Sequence, residues 1–195
     1  MVARFPNLKT LSIGALGIQE SSKAAISNSS AMTMTDAALR SLTDILSSFE
    51  HLESVNLVAN TKLGMTTKAD GALAYFVRRV GRNCTYLNMS GISSLRSDDL
   101  NGLLTSGDDG SPPRLQRLLL NHTGIDDDAS PYLSSCGDLI RLEVAGTRLT
   151  SEGLFPIVDA CPLLEQLELT SCRGVPVLER RQFFEVWENR KISEG

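Results

Sequence analysis

Residues 164–172 read LEQLELTSC, and this short segment decides the fold. Leucines at Leu164, Leu167 and Leu169 alternate with polar residues in the way that is typical of a short, half-buried β-strand. Residues 149–161, directly upstream, have the apolar spacing of a short helix. Residues 149–172 therefore predict one helix followed by one strand, a unit that could repeat along the chain.

The strand pattern occurs six times. When the first residue of each copy is numbered 0, an apolar residue or a cysteine stands at positions 0, +3 and +5. The first residues of successive copies are 44, 32, 31, 24 and 25 positions apart, so the last three copies have a nearly uniform period and the earlier ones contain insertions. The six sets are Leu8, Leu11 and Ile13; Leu52, Val55 and Leu57; Cys84, Leu87 and Met89; Leu115, Leu118 and Leu120; Leu139, Leu142 and Val144; and Leu164, Leu167 and Leu169.

Between the strand copies the apolar residues follow a helical period. Thr35 is the predicted N-cap of the first helix, Ser97 of the third, and Thr150 or Ser151 of the fifth. The fourth, which contains Pro131, is long enough for only a turn or two. The predicted buried faces are Leu39, Leu42, Ile45, Leu46 and Phe49; Leu73, Phe76, Val77 and Val80; Leu100, Leu103 and Leu104; and Leu154, Ile157 and Val158.

The regions outside the repeats predict two loops and a terminal cap. Residues 19–33 and 107–113 are rich in small, polar and turn-forming residues and predict surface loops. After the last strand, a helix starting near Pro176 would place Phe183, Phe184 and Trp187 on one face and close the exposed end of the core. The predicted domains are a repeat array over residues 1–174 and a C-terminal cap helix and tail over residues 175–195. Because no capping element precedes the first copy, we expect the chain to be the C-terminal part of a longer protein.

Composition narrows the classes of function. The formal net charge of −4 and the pI of about 5.2 provide no basic face, so we expect neither nucleic-acid nor anionic-membrane binding. The sequence contains no apolar run of the roughly 20 residues that a membrane-spanning helix needs. It also lacks a signal-peptide pattern, which favours a cytoplasmic or nuclear location. N-x-S/T triplets at Asn28, Asn83, Asn88 and Asn121 leave secretion as the alternative.

Residues that could carry chemistry have simpler interpretations. The four cysteines form no CxxC pair, and Cys172 lies at a turn position where a thiol is normally buried and unreactive. The acidic residues Asp126, Asp127 and Asp128 lack the spacing of a calcium loop and suit the first turn of a helix. No nucleophile elbow, zinc-protease motif or phosphate-binding loop is present. We therefore expect no catalytic residues, no metal and no cofactor.

Residues 149–172, LTSEGLFPIVDACPLLEQLELTSC, resemble the cysteine-containing class of leucine-rich repeat. Leu149 and Thr150 match the start of that motif, Cys161 the cysteine at the helix end, and Cys172 the cysteine of the turn. The class includes ribonuclease-inhibitor-like proteins and F-box leucine-rich-repeat proteins, some of them fungal. The resemblance implies an α/β leucine-rich-repeat solenoid, or horseshoe, of about six strand–helix repeats with a parallel inner sheet and a C-terminal capping helix. Position +8 matches the turn residue only at Asn60 and Cys172, which predicts an incomplete ladder of turn contacts.

The resemblance also implies a function. In F-box leucine-rich-repeat proteins the repeats hold substrates for a Skp–cullin ubiquitin ligase, and this chain would correspond to the substrate-binding region. No segment of the sequence matches an F-box, so Skp and cullin subunits would be reached through a missing upstream F-box. The alternative is a ribonuclease-inhibitor-like regulator that binds an enzyme or a GTPase without any link to a ligase. A third and weaker alternative is a fragment of an enzyme.

The predicted binding surface is the concave face of the sheet, where positions +2, +4 and +6 point away from the core. Tyrosine and arginine are common interface anchors, and both occur there from the third copy onward. The competing interpretation is that the charged residues only pair with one another across neighbouring strands. The predicted partner-binding residues are Tyr86, Asn88, Arg117, Leu119, Asn121, Arg141, Glu143, Gln166 and Glu168.

Overall fold

A computed structural model describes residues 7–14, 34–65, 71–104 and 111–193, with the side chains of the last helix described as far as residue 189. Within these ranges the six strands that the repeated pattern predicts are present, and they form one parallel sheet in chain order. The whole of the predicted loop at 19–33 and residues 107–110 of the second predicted loop lie outside the described residues. The strands are β1 (Thr10–Ser12), β2 (Ser54–Asn56), β3 (Tyr86–Asn88), β4 (Arg117–Leu119), β5 (Arg141–Glu143) and β6 (Gln166–Glu168).

Every strand pair has the register that the repeat numbering predicts. The residues at position +3 are direct partners across the whole sheet, from Leu11 through Leu118 to Leu167. In the second to fifth copies, the residues at 0, +3 and +5 are all buried in one hydrophobic core. The first copy is only partly buried, as is Leu167 in the last. One face of the sheet thus lies against the core, because the side chains of a strand alternate between its two faces.

The connections between the strands contain helices close to the predicted positions. Thr35 caps the helix that begins at Asp36 by accepting a hydrogen bond from the N–H of Ala38 (3.3 Å). Thr150 caps the helix that begins at Ser151 by accepting one from the N–H of Glu152 (3.2 Å). The α-helices are α1 (Asp36–Leu46), α2 (Ala72–Arg79), α3 (Ser130–Ser134), α4 (Ser151–Ala160) and α5 (Val177–Ser193), and short 3₁₀ helices cover Gly81–Asn83, Ser97–Leu103 and Asp127–Ala129.

Two details of the helix predictions were wrong. Ile45, predicted on the buried face of α1, is 38% exposed, whereas Thr43 is fully buried and donates its hydroxyl to the carbonyl of Leu39 (2.7 Å). That internal hydrogen bond lets a threonine occupy the core side of the helix. The segment predicted as the third helix forms a 3₁₀ helix over Ser97–Leu103. Ser97, the predicted cap, is the first residue of this helix and is buried, whereas Arg96 occupies the N-cap position. Its first turn is held by the carboxylate of Asp99, which accepts the N–H of Arg96 (2.9 Å).

A left-handed residue ends each described turn after strands β2 to β6. Position +7 has a φ of 59° at Ala59, 76° at Gly91, 56° at His122, 68° at Gly146 and 59° at Ser171. The N–H of four of these residues donates to a carbonyl of the next copy at 2.7 or 2.8 Å, which extends the parallel ladder beyond the strands. Only glycine adopts this conformation without a steric cost, so a shared geometry imposed on different residues indicates that inter-copy packing determines the turn.

The turn contacts at position +8 are more complete than the sequence predicts. The Asn60 amide nitrogen donates to the carbonyls of Leu57 (2.9 Å) and Ile13 (2.8 Å), the latter in the preceding copy. Thr123 and Thr147 donate their hydroxyls to the carbonyls three residues upstream, each at 2.7 Å, so threonine replaces one of the two asparagine contacts. Cys172 makes the other contact, to the carbonyl of the preceding copy (3.0 Å).

The C-terminal helix α5 packs against α4. Phe183 is 2% exposed, and its ring centroid lies 4.9 Å from that of Phe155. Trp187 is also buried, and Phe184 packs between it and Phe183 with centroid distances of 5.9 and 5.7 Å. The predicted apolar face of this helix is therefore confirmed for the residues described. Across the described residues, none of the helices combines the length and the apolar character needed to cross a bilayer.

Candidate functional site

The side of the sheet opposite the core carries the residues at positions +2, +4 and +6, and it is called the open face below. Because the strands are in register, these residues form three rows that cross the sheet. Neighbouring members of a row lie about 4.8 Å apart, the usual spacing between strands. All nine predicted binding residues lie on this face, in β3 to β6 or directly after β4. The +2 row contains Tyr86, Arg117, Arg141 and Gln166, and the +4 row contains Asn88, Leu119, Glu143 and Glu168.

Arg141 and Glu143 are at the centre of a polar network. The Nε of Arg141 donates to Glu143 Oε1 (2.7 Å), and its Nη1 donates to Gln166 Oε1 on the next strand (3.0 Å). The other oxygen of Glu143 accepts the side-chain amide of Asn121 (2.6 Å). The competing interpretation predicts that charged residues pair across neighbouring strands. The ion pair between Arg141 and Glu143 instead lies within one strand, and the contacts across strands are made to the uncharged Gln166 and Asn121.

Several polar side chains of the open face cap the backbone. The residue at position +6 lies just after the end of its strand. In every copy from β2 to β6, the backbone N–H of this residue donates a hydrogen bond to a side-chain oxygen. Asn56, Asn88 and Glu168 accept the N–H two residues downstream in their own copy, at 3.0, 2.9 and 2.7 Å. Ser90 and Asn121 accept the N–H of the following copy, at 3.2 and 2.8 Å. A capped amide has no need of water, so these side chains have a structural role in the sheet.

Glu168 is held as a carboxylate at the edge of the sheet. The hydroxyl and the N–H of Thr170 both donate to its Oε1 and lower its pKa below the usual value. Arg180 of α5 and Arg141 lower this pKa further through their charges. The hydrogen bonds from Thr170 stabilise the ionised form most, and the positive charges of the two arginines add to this effect. Sequence reasoning did not identify Arg180 as a neighbour of Glu168, because the spacing of residues within a helix does not indicate which strand residue a helical side chain will approach.

Tyr86, Arg117 and Leu119 differ from the rest of the open face. Within the described ranges, the side chains of Tyr86 and Arg117 make no hydrogen bond or ion pair. Arg117 is exposed, and Tyr86 and Leu119 are half-buried. Tyr86 and Arg117 are direct partners across β3 and β4, and Leu119 follows Arg117 on the same face two positions later. These three residues therefore form a contiguous patch without internal polar contacts, which is called the β3–β4 patch below.

The acidic residues at 126–128 connect neighbouring copies. Asp127 accepts both the N–H (2.8 Å) and the hydroxyl (2.7 Å) of Thr150, the residue that caps α4. Asp126 accepts the hydroxyl of Ser97 (2.6 Å), and Asp128 is exposed. The predicted position at the first turn of a helix is confirmed, and the hydrogen bonds between copies were not predicted. Among the described residues, no group of three histidine, cysteine or acidic side chains is arranged to hold a metal ion.

The four cysteines lie in the buried surroundings that are typical of structural residues. All four thiols are free and buried, and burial raises the pKa of Cys84 to about 12 and that of Cys161 to about 11. Burial also raises the pKa of Cys136. A protonated, inaccessible thiol is a poor nucleophile. The sulfur of Cys172 contacts the carbonyl of Val144 and the hydroxyl of Thr147, so within the described residues its neighbours are those of a turn.

Comparison with known proteins provides one partial likeness. No protein-family model matches the chain. Over 62 residues the chain is 36% identical to F-box/LRR-repeat protein 23 of Arabidopsis thaliana. This similarity covers 32% of the present chain and 14% of the length of that relative. Together with the six-stranded parallel sheet, it supports a loose likeness to leucine-rich-repeat proteins, whose repeats are protein-interaction scaffolds.

Proposed function

We propose that this chain is a leucine-rich-repeat solenoid, curved as a horseshoe, that recognises another protein on its open face and has no enzymatic activity. In this proposal the open face is the concave side of the horseshoe, α5 is the cap that closes the core at the C-terminal end, and residues 1–174 and 175–195 are the two functional parts. The protein would act in the cytoplasm or the nucleus.

The observation that carries the proposal is the common register of the six strands. It places the side chains from six copies in continuous rows on one solvent-facing surface, which no single strand or helix could form. Extended surfaces of this kind are typical of repeat proteins that bind other proteins. The nine predicted contact residues lie together on it, and tyrosine and arginine, the residue types most often found at energetic centres of interfaces, are among them.

The partial relative suggests which class of recognition protein this is. Its printed name combines an F-box with leucine-rich repeats, and we propose by analogy that the present chain is the substrate-binding region of an F-box-type ubiquitin-ligase receptor. Skp and cullin subunits would then join through an F-box elsewhere in the complete protein. The alternative is a ribonuclease-inhibitor-like regulator that binds an enzyme or a GTPase, since the open face alone could serve either purpose.

Substitution of three residues on the open face tests whether this surface binds proteins. The variant Tyr86→Ala/Arg117→Ala/Arg141→Ala should lose the specific partners that the wild-type chain retains in an affinity pull-down from cell extract. The matched control is Arg148→Ala/Arg173→Ala, which removes two exposed arginines at position +9, beyond the turn and off the open face. Both variants must retain the wild-type circular dichroism spectrum. Unchanged recovery of partners by the folded triple variant contradicts the proposal.

Purification of the complete protein with its bound subunits separates the two classes. The ligase version predicts that Skp and cullin subunits appear by mass spectrometry in stoichiometric amounts with the full-length protein. The regulator version predicts an enzyme or a GTPase as the main component, without ligase subunits. Consistent absence of Skp and cullin subunits from a folded, full-length preparation would rule out the first version.

A further inference from the structure

Across strands β3 to β6, the polar contacts of the open face leave one part of it available. On strands β3 to β6, Arg141 is bound to Glu143 and Gln166, and the other polar side chains outside the β3–β4 patch cap the backbone or bind each other. A partner that displaced them would have to replace contacts already made, which costs free energy for each buried group left unpaired. The β3–β4 patch of Tyr86, Arg117 and Leu119 has no such contacts within the described residues. A partner can therefore form new contacts there without breaking existing hydrogen bonds.

The distribution of charge on the open face also points to the β3–β4 patch. Glu143 forms an ion pair with Arg141, and Glu168 accepts hydrogen bonds from the N–H and the hydroxyl of Thr170. Arg117 has no acidic partner within the described ranges, and its direct neighbour on β5 is another arginine, Arg141. Two like charges in adjacent positions of a row repel each other. Among the described residues of this face, Arg117 is therefore the one charged side chain without a hydrogen bond or an ion pair, and an anionic group is the natural complement to it.

We infer that the protein partner binds the β3–β4 patch through an extended acidic segment that places a carboxylate on Arg117 and an apolar side chain against Leu119 and Tyr86. This inference deepens the proposed function and rests on it. Arg117 and Leu119 are two positions apart on one face of a strand, a separation of about 6.7 Å. In an extended partner segment, residues two apart have the same separation, so an Asp or Glu and an aliphatic or aromatic residue at positions i and i+2 fit the patch.

The chemistry of the three side chains supports this assignment. An arginine guanidinium pairs with a carboxylate through two parallel hydrogen bonds, and the neighbouring tyrosine ring limits access of water to that pair. Leu119 is half-buried between Asn88 and Glu143 in its row and offers an apolar contact where every other residue of the +4 row is polar. A purely acidic polymer such as nucleic acid fits poorly, because Glu143 lies beside Leu119 and Glu168 follows it on the next strand.

Peptide selection on the folded chain tests the inference. A random heptapeptide library displayed on phage would be panned against the wild-type chain, and the selected peptides would be titrated by fluorescence anisotropy. We expect selected peptides to carry Asp or Glu two positions from an aliphatic or aromatic residue. Arg117→Gln should weaken their binding about tenfold or more, since it removes a charge-assisted contact. Leu119→Ser should also weaken it, whereas Arg148→Gln, an equal change of charge at an exposed site off the open face, should alter the dissociation constant by less than about twofold.

A charge exchange completes the test. Arg117→Glu should abolish binding of the selected peptides, and replacement of their acidic residue by lysine should restore binding to this variant alone. Selected peptides without an acidic residue, or binding that is insensitive to Arg117→Gln, overturn the inference. If peptides of this kind bind the wild-type chain but not the Tyr86→Ala/Arg117→Ala/Arg141→Ala variant, the open face does bind proteins and only the assigned chemistry is wrong. If the triple variant binds peptides and cellular partners as the wild type does, the proposed function itself fails.

Discussion

Asn60 shows at the scale of one residue how the turns join neighbouring copies. Its side chain is 1% exposed and makes three hydrogen bonds to the backbone, two as a donor to Ile13 and Leu57 and one as an acceptor from the N–H of Met34 (3.2 Å). A buried amide that satisfies three backbone groups contributes strongly to stability, because its removal leaves each of those groups without a hydrogen-bond partner.

Asn60→Ala should lower the free energy of unfolding by about 2–4 kcal/mol, since it leaves buried backbone donors and acceptors without partners. Urea unfolding followed by circular dichroism measures this loss. Asn101→Ala is the matched control: Asn101 is exposed, and its replacement should change the free energy of unfolding by less than about 0.5 kcal/mol. Equal effects of the two substitutions would show that the Asn60 contacts add no stability.

Gly146 is the residue for which the left-handed turn is most restrictive. Its φ is +68°, and a Cβ added there would overlap the ring of His122 in the preceding copy. Gly146→Ala should therefore lower the free energy of unfolding by about 1–3 kcal/mol. Gly137→Ala should be neutral or slightly stabilising, because a Cβ at Gly137 meets no atom within 4 Å and alanine has fewer unfolded conformations. A thermal melt of each variant distinguishes the two outcomes.

At the scale of the secondary structure element, the short segments between strands depend on contacts with the next copy. The 3₁₀ helix Asp127–Ala129 and helix α3 together contain too few residues to be stable alone. Asp127 connects them to the N-terminus of α4 through Thr150, and Ser130 donates its hydroxyl to the carbonyl of Gly153 (2.6 Å). The start of α4 is thus determined by a local cap and by a carboxylate from the preceding copy.

Asp127→Ala should lower the free energy of unfolding by about 1–2 kcal/mol through the loss of two hydrogen bonds to Thr150. A double-mutant cycle with Thr150→Val should give a coupling energy of about 0.5–1.5 kcal/mol. Asp128→Ala removes the same charge one position later, at an exposed site, and should change stability by less than about 0.5 kcal/mol. A coupling energy of zero in urea denaturation would mean that the contact between Asp127 and Thr150 contributes nothing.

At the scale of the whole molecule, the stacked copies share one core that must be closed at its ends. Leu167 in β6 is only partly buried, although its counterparts in β2 to β5 are fully buried, because β6 is the edge strand of the sheet that the described residues form. Phe183 and Trp187 of α5 extend the apolar core past this strand, while Val177 and Leu178 of the same helix remain exposed. Stability in such an array is approximately a sum of copy and interface terms, so the terminal interface affects the entire array.

Phe183→Ala should lower the free energy of unfolding by about 3–4 kcal/mol, as expected for a large aromatic side chain that is 2% exposed. Leu178→Ala, on the same helix but 78% exposed, is the control and should be nearly neutral. Chemical denaturation and size-exclusion chromatography of both variants check this expectation. If Phe183→Ala leaves the unfolding midpoint unchanged, α5 does not stabilise the core and its proposed capping role is wrong.

The sequence by itself determined the strands, their order and their register. Leucine or an equivalent residue at 0, +3 and +5 specifies which face of each strand is buried, and a shift of one residue would expose that whole set to water. The same reasoning located Thr35, Thr150 and the apolar face of α5, and it placed the nine candidate residues on one side of the sheet. These features depend on hydrophobic burial with a fixed period, a property that can be read locally.

Only the tertiary structure decided which residues of the open face are already engaged. The contacts of Asn121 with Glu143 and Ala145 join residues 22 and 24 positions apart, and no local pattern encodes which of several polar neighbours a side chain will choose. The exposure of Ile45 and the inter-copy role of Asp127 were decided in the same way. Hydrogen bonds depend on distance and direction at the scale of tenths of an ångström, whereas hydrophobic burial depends mainly on area. The sequence therefore identified the surface, and the packing of its copies separated the β3–β4 patch from the side chains that stabilise the sheet.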